Sequence, residues 1–218
     1  MSEALRRRMV EDQLVRAGIS DRRVLDAMGR VPREAFVPDA LAASAYADSP
    51  LSIGGGQTIS QPAIVALMLE AARVAPGDRV LDVGTGSGYA AAMAADMGAT
   101  VHSIERDPDL AEAARARLKA LGYDVAVTIG DGTLGLAEAA PFDAILVAAA
   151  APAIPDSLRR QLAIGGRLVI PVGRTRQRQE LRRITRRSAM EFDDVLLELV
   201  AFVPLIGREG WPDASGGG

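Results

Sequence analysis

One short stretch decides the fold of this 218-residue chain: Asp82-Val83-Gly84-Thr85-Gly86-Ser87-Gly88-Tyr89. It follows the apolar pair Val80-Leu81 and precedes an alanine-rich segment, residues 90–95, which favours a helix. A strand, a glycine-rich turn and a helix in this order let the backbone approach a nucleotide-like ligand closely. The glycines are suited to this role because they carry no side chain with which the ligand would clash.

The spacing and the charges of this loop predict S-adenosylmethionine (SAM) as its ligand rather than NAD. A dinucleotide loop has the spacing G-x-G-x-x-G, whereas here it is G-x-G-x-G and Tyr89 takes the place of the third glycine. Asp82 would repel a pyrophosphate but attract the ammonium group of an amino acid. Glu105 follows the run 100–104, at the spacing of a carboxylate that binds ribose hydroxyls. The predicted cofactor contacts are Asp82, Gly84, Thr85, Gly86, Ser87, Gly88 and Glu105; the alternative is a structural turn.

Composition narrows the possible functions further. The chain has no cysteine, which excludes a disulfide scaffold and a thiolate nucleophile, and its single histidine nearly excludes a histidine metal site or a serine triad. The formal net charge of −3 gives no overall attraction to nucleic acid or anionic membranes. Residues 6–8 are basic without a following apolar core, and no apolar run approaches the ~20 residues of a membrane span. We expect a cytoplasmic protein without metal, nucleic-acid or membrane partners.

Strand and helix patterns alternate through the middle of the chain. Strands are predicted at residues 79–83, 100–104, 125–129, 142–147 and 167–172. Helices are predicted at residues 89–97, 108–121 and near 155–162. This order predicts an α/β fold with a Rossmann-like, doubly wound, mostly parallel sheet and helices on both faces. Residues 179–185 and 195–202 are typical of paired antiparallel strands at the sheet edge.

We predict a single domain, residues 1–218, in three parts. Residues 1–75 form an N-terminal helical cap with a substrate and cofactor loop, residues 76–173 the SAM-binding core, and residues 174–218 the antiparallel strands and tail. An apolar face of the cap could be lined by Met9, Leu14, Val24, Leu25 and Met28. Residues 50–56 are predicted as a loop, residues 63–74 as a helix and residues 215–218 as a frayed end.

Outside the glycine-rich loop the chain carries several distinctive segments. They are Val31-Pro32-Arg33-Glu34-Ala35-Phe36-Val37-Pro38, residues 45–54, Gly56-Gln57-Thr58-Ile59-Ser60-Gln61-Pro62, Gly130-Asp131-Gly132, Pro141-Phe142-Asp143-Ala144-Ile145, residues 165–173 and Phe202-Val203-Pro204-Leu205. Together they resemble the protein-L-isoaspartate O-methyltransferase family over roughly residues 9–211. Many methyltransferases share the glycine-rich loop, but the segments 56–60 and 202–205 are much more particular to this family.

The resemblance implies a SAM-dependent repair enzyme that methylates the free α-carboxylate of L-isoaspartyl residues in damaged proteins and peptides. The ester then collapses to a succinimide without further catalysis, and hydrolysis returns part of it to aspartate. The family's enzymes act mostly as monomers. The resemblance places Ser60 beside the methyl group and the acceptor, as the catalytic and substrate-binding residue. It assigns the cofactor contacts Gln57, Thr58, Ile59, Asp131 and Gly132, and the peptide contacts Val203, Pro204 and Leu205.

A carboxylate acceptor suits this composition. A carboxyl group with a pKa near 4 is almost fully ionised at pH 7 and needs no general base, whereas a lysine amine with a pKa of about 10.4 would need one. Ser60 could therefore orient the acceptor without abstracting a proton. It could also be the N-cap of the following helix, and Asp131 could simply form an Asx turn.

Several other features of the sequence allow more than one interpretation. His102 is expected to pack within its strand, and Trp211 either covers the cofactor or anchors the tail. A basic cluster could bind RNA, but we predict a solvated surface that protects an edge strand; its members are Arg174, Arg176, Arg178, Arg182, Arg183, Arg186 and Arg187. The chain departs from the common family pattern at Gly55, Val65 and Ala148.

Three rival functions remain open from the sequence. A nucleic-acid methyltransferase that modifies amino groups would carry an N/D-P-P-Y/F motif after the fourth core strand, where this chain has residues 148–152, Ala-Ala-Ala-Ala-Pro. A relative dedicated to peptide natural-product biosynthesis is the second rival. A SAM-binding protein without activity is the third, and intact Asp82, Ser60 and Glu105 disfavour it.

Overall fold

A seven-stranded sheet organises the chain, which the computed structural model describes over residues 2–175 and 177–213. The strands are β1 (Leu51–Gly54), β2 (Gln57–Ile59), β3 (Arg79–Val83), β4 (Thr100–Glu105), β5 (Val125–Ile129), β6 (Phe142–Val147), β7 (Leu162–Val172), β8 (Gln179–Arg186) and β9 (Phe192–Val200). The order across the large sheet is β5-β4-β3-β6-β7-β8-β9. Pairing is parallel from β5 to β7 and antiparallel from β7 to β9. The predicted Rossmann-like fold with antiparallel C-terminal strands is confirmed.

The strand order fixes where a ligand can bind. The chain runs outward from β3 through β4 to β5 and then crosses back to β6 on the other side of β3. The loops that follow β3 and β6 therefore leave in opposite directions, and a crevice opens between them at the carboxyl edge of the sheet. This switch point lies directly after Val83, at the start of the glycine-rich stretch.

Helices cover both faces of the sheet. They are α1 (Ser2–Arg8), α2 (Arg22–Arg30), α3 (Pro62–Ala72), α4 (Tyr89–Asp96), α5 (Pro108–Ala120) and α6 (Asp156–Arg160), and residues Met9–Leu14 continue α1 as a π-helical segment. Side chains along β3 alternate between two cores, with Val80 in one and Leu81 and Val83 in the other. None of the helices in the described ranges has the length and apolar character to cross a membrane.

The N-terminal cap packs as its apolar pattern predicts. Met9, Leu14, Val24 and Met28 are buried in the first core, and Leu25 is partly buried against it. Asp21 begins α2 by accepting a hydrogen bond from the backbone N–H of residue 23 at 2.9 Å. The cap is therefore part of the same core as α3 and α4.

Several element boundaries differ from prediction. Residues 50–56 are not a simple loop, because β1 and β2 form an antiparallel hairpin whose turn contains three glycines with positive φ, residues 54–56. β7 begins at Leu162 rather than at 167, with a register irregularity in its pairing with β6. β9 runs over Phe192–Val200 rather than 195–202, because it pairs along the whole length of β8. The helix predicted near 155–162 is only five residues long.

Candidate active site

A pocket opens at the carboxyl edge of the sheet where β3 and β6 diverge, and we call it the sheet-edge pocket. Fourteen of the predicted site residues line it: Gln57, Thr58, Ile59, Ser60, Asp82, Gly84, Thr85, Gly86, Ser87, Glu105, Gly132, Val203, Pro204 and Leu205. They come from the β1–β2 hairpin, from the loops after β3, β4 and β5, and from the C-terminal segment. The fold thus gathers residues that lie more than a hundred positions apart in the sequence.

Asp82 is the most deeply buried acidic residue that lines this pocket, with 1% of its surface exposed. Its Oδ2 accepts a hydrogen bond from the Ser103 hydroxyl at 2.7 Å, and the Ser103 and Thr85 hydroxyls lie 2.6 Å apart. Its Oδ1 has no hydrogen-bond partner within the described part of the chain. A buried oxygen without a partner is costly, so this atom favours a ligand that brings a donor.

The electrostatics of Asp82 also favour a ligand that brings a hydrogen-bond donor. The pKa of this carboxyl is raised to about 7, because burial, with a smaller contribution from the negative charge of Glu105, outweighs the lowering effect of the Ser103 hydrogen bond. Among residues 2–175 and 177–213, no positively charged side chain pairs with this carboxylate. A cationic ligand group would supply that partner and favour the ionised form.

Glu105 ends β4 and holds the glycine-rich loop. Its Oε2 accepts a hydrogen bond from the backbone N–H of Gly86 at 2.9 Å, and its Oε1 accepts one from the backbone N–H of Asp107 at 3.1 Å. Gly84 and Gly86 have φ values of 86° and 51°, which favour glycine. Glu105 thus fixes the loop and still lines the pocket.

The structure does not bring Gly88 to the pocket. Its φ is 91°, and a Cβ at this position would lie 3.2 Å from the Leu118 side chain of α5. The glycine is therefore required by the approach of α5 to the start of α4. The predicted ligand contact of Gly88 has no support from this geometry.

Asp131 is likewise not among the residues that line the pocket, and its carboxylate is bound elsewhere. Oδ1 accepts hydrogen bonds from the backbone N–H and the hydroxyl of Thr133 at 2.9 and 2.7 Å, and Oδ2 accepts one from the backbone N–H of Arg208 at 2.8 Å. The Asx-turn alternative thus describes this side chain. Its neighbour Gly132 does line the pocket, and a Cβ there would lie 2.7 Å from Val83 Cγ1.

Ser60 lies between β2 and α3. The N-cap alternative for Ser60 is wrong, because the N-cap position is occupied by Gln61, which makes no side-chain capping bond. The backbone carbonyl of Ser60 accepts a hydrogen bond from Arg33, and no hydrogen bond to its hydroxyl occurs within residues 2–175 and 177–213. The hydroxyl is therefore available to a ligand.

A second cavity, which we call the outer groove, adjoins the sheet-edge pocket. It is lined by Pro50, Thr58, Ser60, Gln61, Ile64, Ala148, Gln177, Arg178 and residues 199–203. Four residues line both cavities: Thr58, Ser60, Ala148 and Val203. Pro204 and Leu205, predicted to contact a peptide, line only the sheet-edge pocket. Two ligands in these cavities would meet at Ser60.

Sequence analysis missed much of the apolar lining. The additional residues are Val65, Met68, Leu69, Val83, Tyr89, Ala90, Ile104, Leu146, Ala149 and Ile206, together with the charged Arg106. Most of them adjoin a predicted contact in the sequence or repeat at helical spacing along α3. These two sequence features could have identified them. Such residues would exclude water from a ligand's apolar parts.

The structure also places two features outside the pocket. Trp211 donates a hydrogen bond from Nε1 to the carbonyl of Ala150 at 3.0 Å and does not line the pocket, so it anchors the tail. His102 packs edge-on against Phe142, as expected. Residues 215–218, predicted to be frayed, lie outside the described residues.

Three members of the basic cluster, Arg182, Arg186 and Arg187, are engaged within the protein. Arg182 bonds Asp194 at 2.8 Å and also pairs with Glu180, and Arg187 pairs with Asp193. Arg186 donates to main-chain carbonyls of the β7 region. Arg176 lies outside the described residues. These contacts favour an internally paired surface over an RNA-binding one. The predicted protection of an edge strand is wrong, because β8 lies between β7 and β9 and the edge strand is β9.

Comparison with known proteins places this geometry in a family. Residues 5–210 match the family model described as protein-L-isoaspartate(D-aspartate) O-methyltransferase. The chain belongs to this family. The protein-L-isoaspartate O-methyltransferase of Methylorubrum populi is 61% identical over 210 residues, which cover 96% of this chain and 99% of the relative. Protein-L-isoaspartate O-methyltransferase 2 of Marinobacter nauticus is 58% identical and covers 95% of both chains.

Solved structures agree with this assignment. One protein-L-isoaspartate O-methyltransferase has a TM-score of 0.84 and 28% identity, over 94% of this chain and 67% of the other. A Plasmodium falciparum protein assigned to the protein-L-isoaspartate O-methyltransferases, crystallised with S-adenosyl-L-homocysteine, has a TM-score of 0.79 and 30% identity, over 94% of this chain and 98% of the other. The resemblance noted in the sequence is confirmed.

Proposed function

We propose that the sheet-edge pocket holds SAM and that the outer groove holds an L-isoaspartyl segment whose free α-carboxylate is methylated. One observation carries this proposal: Ser60 lies in the wall shared by the two cavities. A donor and an acceptor must meet at one opening for a methyl group to pass between them. Membership of the protein-L-isoaspartate O-methyltransferase family supports the same activity.

The pocket residues fit SAM on grounds independent of the family. The unpartnered Oδ1 of Asp82 suits the ammonium group of an amino acid, and Glu105 suits the ribose hydroxyls. When bound, SAM supplies an electrophilic methyl group on a positively charged sulfur. Gln57, Thr58 and Ile59 would lie along its methionine end. Gly132 would lie at the adenine, while Asp131 holds the C-terminal segment that closes the pocket.

The acceptor side needs orientation rather than a base. An isoaspartyl carboxylate is already ionised at pH 7, and the Ser60 hydroxyl would donate a hydrogen bond that fixes its direction. Arg178 is the charged residue among the described residues of the outer groove, and its positive charge suits an anionic acceptor. Val203 lies where the peptide would pass. Holding the two reacting groups in line can lower the barrier by roughly 7–11 kcal/mol.

The proposal predicts selectivity between two matched peptides. An L-isoaspartyl residue presents its free carboxylate on Cα, whereas an aspartyl residue presents it one methylene further from the backbone. We expect labelling by tritiated SAM to be at least about tenfold greater for the isoaspartyl peptide, since one misplaced methylene is worth about 1–3 kcal/mol. A peptide with asparagine at the same position gives the blank. Equal labelling of the isoaspartyl and aspartyl peptides would contradict the proposed function.

SAM affinity should depend on pH through Asp82. Its pKa of about 7 in the unliganded protein means that the carboxyl must lose a proton to pair with an ammonium group. We expect affinity to rise by up to about tenfold per pH unit below that value and to fall again above about pH 8, where an α-amino group loses its charge. Calorimetry near pH 6.5 in buffers of different ionisation enthalpy should detect proton release. An affinity that stays constant from about pH 5.5 to 7 would disprove this coupling.

We further propose a single-domain monomer of the cytoplasm without nucleic-acid or membrane partners. The formal net charge of −3 and the carboxylates that pair with Arg182 and Arg187 support this view. Ala148, where nucleic-acid enzymes would need a motif that holds a base, lines both cavities without an aromatic ring. This favours a peptide over a nucleic-acid substrate.

A further inference from the structure

A buried arginine of the cap reaches the backbone of Ser60. Arg33 is 0% exposed and begins a short 3-10 turn, Arg33–Phe36. Its Nε donates a hydrogen bond to the carbonyl of Ala45 at 2.7 Å, and its Nη2 donates one to the carbonyl of Ser60 at 2.6 Å. No carboxylate forms an ion pair with it within residues 2–175 and 177–213. The guanidinium therefore acts on main-chain carbonyls.

The same side chain also contacts the segment that follows the glycine-rich loop. Its Cζ lies 4.9 Å from the centroid of the Tyr89 ring, and Tyr89 is the first residue of α4 and lines the sheet-edge pocket. The Phe36 ring packs edge-on against Tyr89 at 5.4 Å. Arg33 thus joins three segments that are distant in sequence: the cap, the segment containing Ser60 and the start of α4.

Burying the charge of Arg33 costs free energy, which the hydrogen bonds of its guanidinium must offset. Burial lowers the pKa of Arg33, yet a guanidinium remains charged in proteins. A planar guanidinium can hold two carbonyls at a fixed mutual angle, which a lysine ammonium on a flexible stem cannot do. The two carbonyls here belong to residues 45 and 60, fifteen positions apart. The rigid geometry of Arg33 therefore restricts where the backbone of Ser60 can lie.

We infer that Arg33 is a positioning residue for methyl transfer, which holds the Ser60 backbone so that its hydroxyl points to the opening between the two cavities. This inference rests on the proposed function of Ser60. Arg33 does not line either cavity, so its effect on the reaction would pass through Ser60. An effect transmitted through one residue should vanish when that residue's functional group is removed.

A double-mutant cycle tests this dependence. We expect Arg33→Lys to lower kcat about five- to tenfold in the natural background, the size of one lost hydrogen bond, and less than about twofold in the Ser60→Ala background. The KM for SAM and its calorimetric affinity should change less than about twofold. An equal fold decrease in kcat in both backgrounds would overturn the inference and leave the role of Ser60 intact. An unchanged kcat for Ser60→Ala would overturn both.

Arg167→Lys provides a matched control. Arg167 also donates to main-chain carbonyls, those of Ala72 at 2.7 Å, Arg73 at 3.0 Å and Gly165 at 3.2 Å. It pairs in addition with Asp78 at 3.6 Å, and it lies away from both cavities. We expect this variant to reduce thermal stability without lowering kcat. A similar loss of kcat in the Arg167 and Arg33 variants would mean that weakened packing alone explains the effect, and would overturn the inference.

Hydrogen exchange supplies a readout that does not depend on turnover. In Arg33→Lys, the amides of residues 57–61 should exchange faster, while those of β3 remain protected. Should that variant fail to fold, the natural chain in low denaturant gives the decisive measurement. Residues 33–36 and 57–61 should open with the same free energy if Arg33 couples them. Independent opening of residues 57–61 would overturn the inference.

Discussion

Asp82→Asn should bind SAM at least about 100-fold more weakly than the natural chain. The substitution keeps the shape of the side chain but removes the buried negative charge that would face the ammonium group. Breaking a buried ion pair by removing one partner costs roughly 3–5 kcal/mol, which is a factor of more than 100 in affinity. Isothermal titration calorimetry at about pH 7.5, where an unliganded Asp82 is largely ionised, measures the change directly.

Asp143→Asn is the control for this experiment. Asp143 belongs to β6, beside β3, but lies near the opposite edge of the sheet, where it accepts a hydrogen bond from the backbone N–H of Arg79. Its variant should bind SAM normally. An unchanged affinity for Asp82→Asn would show that the ammonium group binds elsewhere.

The stability of the unliganded Asp82→Asn variant should not fall, in contrast to its affinity for SAM. Because the folded-state pKa of Asp82 is raised, the folded protein holds more protons than the unfolded chain between about pH 4 and 7. The contribution of Asp82 to stability is therefore lost as the pH rises through that window. Asp82→Asn has no such loss, so unliganded Asp82→Asn should not melt below the natural chain at pH 7.5. Weak binding by a fully folded variant separates the effect on the site from unfolding.

Ser60→Ala should lower kcat about 100-fold while leaving SAM affinity within about twofold. The variant loses the hydrogen bond that would fix the direction of the acceptor carboxylate, and a misplacement of about 1 Å can lower kcat about 100-fold. In the proposed function, SAM binding depends instead on Asp82, Glu105 and the glycine-rich loop. Steady-state kinetics on an isoaspartyl peptide, together with calorimetry of SAM, measure the two quantities separately.

Ser52→Ala and Ser60→Thr complete this comparison. Ser52 is an exposed serine of β1 that lines neither cavity, so its variant should turn over normally. Ser60→Thr retains the hydroxyl and should recover part of the activity. If Ser60→Ala turned over as fast as the natural chain, the orienting role would be refuted.

Site residues were predicted best where a charged residue lies at or near the end of a strand in the parallel sheet. Asp82 and Glu105 each end a strand or lie near its end, and parallel pairing of β3 with β4 brings those ends to one edge. Strand recognition and the rule that parallel strands end together were enough to place them. The hairpin β1–β2 was missed because a run of three glycines predicts a turn without revealing which residues pair across it.

Contacts between distant segments could not be predicted. The reason for glycine at position 88 is the Leu118 side chain of another helix. The carboxylate of Asp131 is satisfied partly by the N–H of Arg208, 77 positions further on. Arg33 looks like a surface residue in a sequence, because arginine is mostly exposed in proteins. Each of these assignments depends on tertiary neighbours that local patterns do not encode.

The hydrogen bonds of Asp131 bear on how this enzyme itself ages. The chain contains no asparagine, so isoaspartate cannot form in it by asparagine deamidation, and Asp131-Gly132 is its single Asp-Gly pair. Spontaneous isomerisation there would require the carboxyl group to rotate toward the amide nitrogen of Gly132. Contacts from Thr133 and Arg208 hold both carboxylate oxygens away from that path. These hydrogen bonds thereby protect the enzyme's own Asp-Gly pair from the isoaspartyl damage that the enzyme repairs in other proteins.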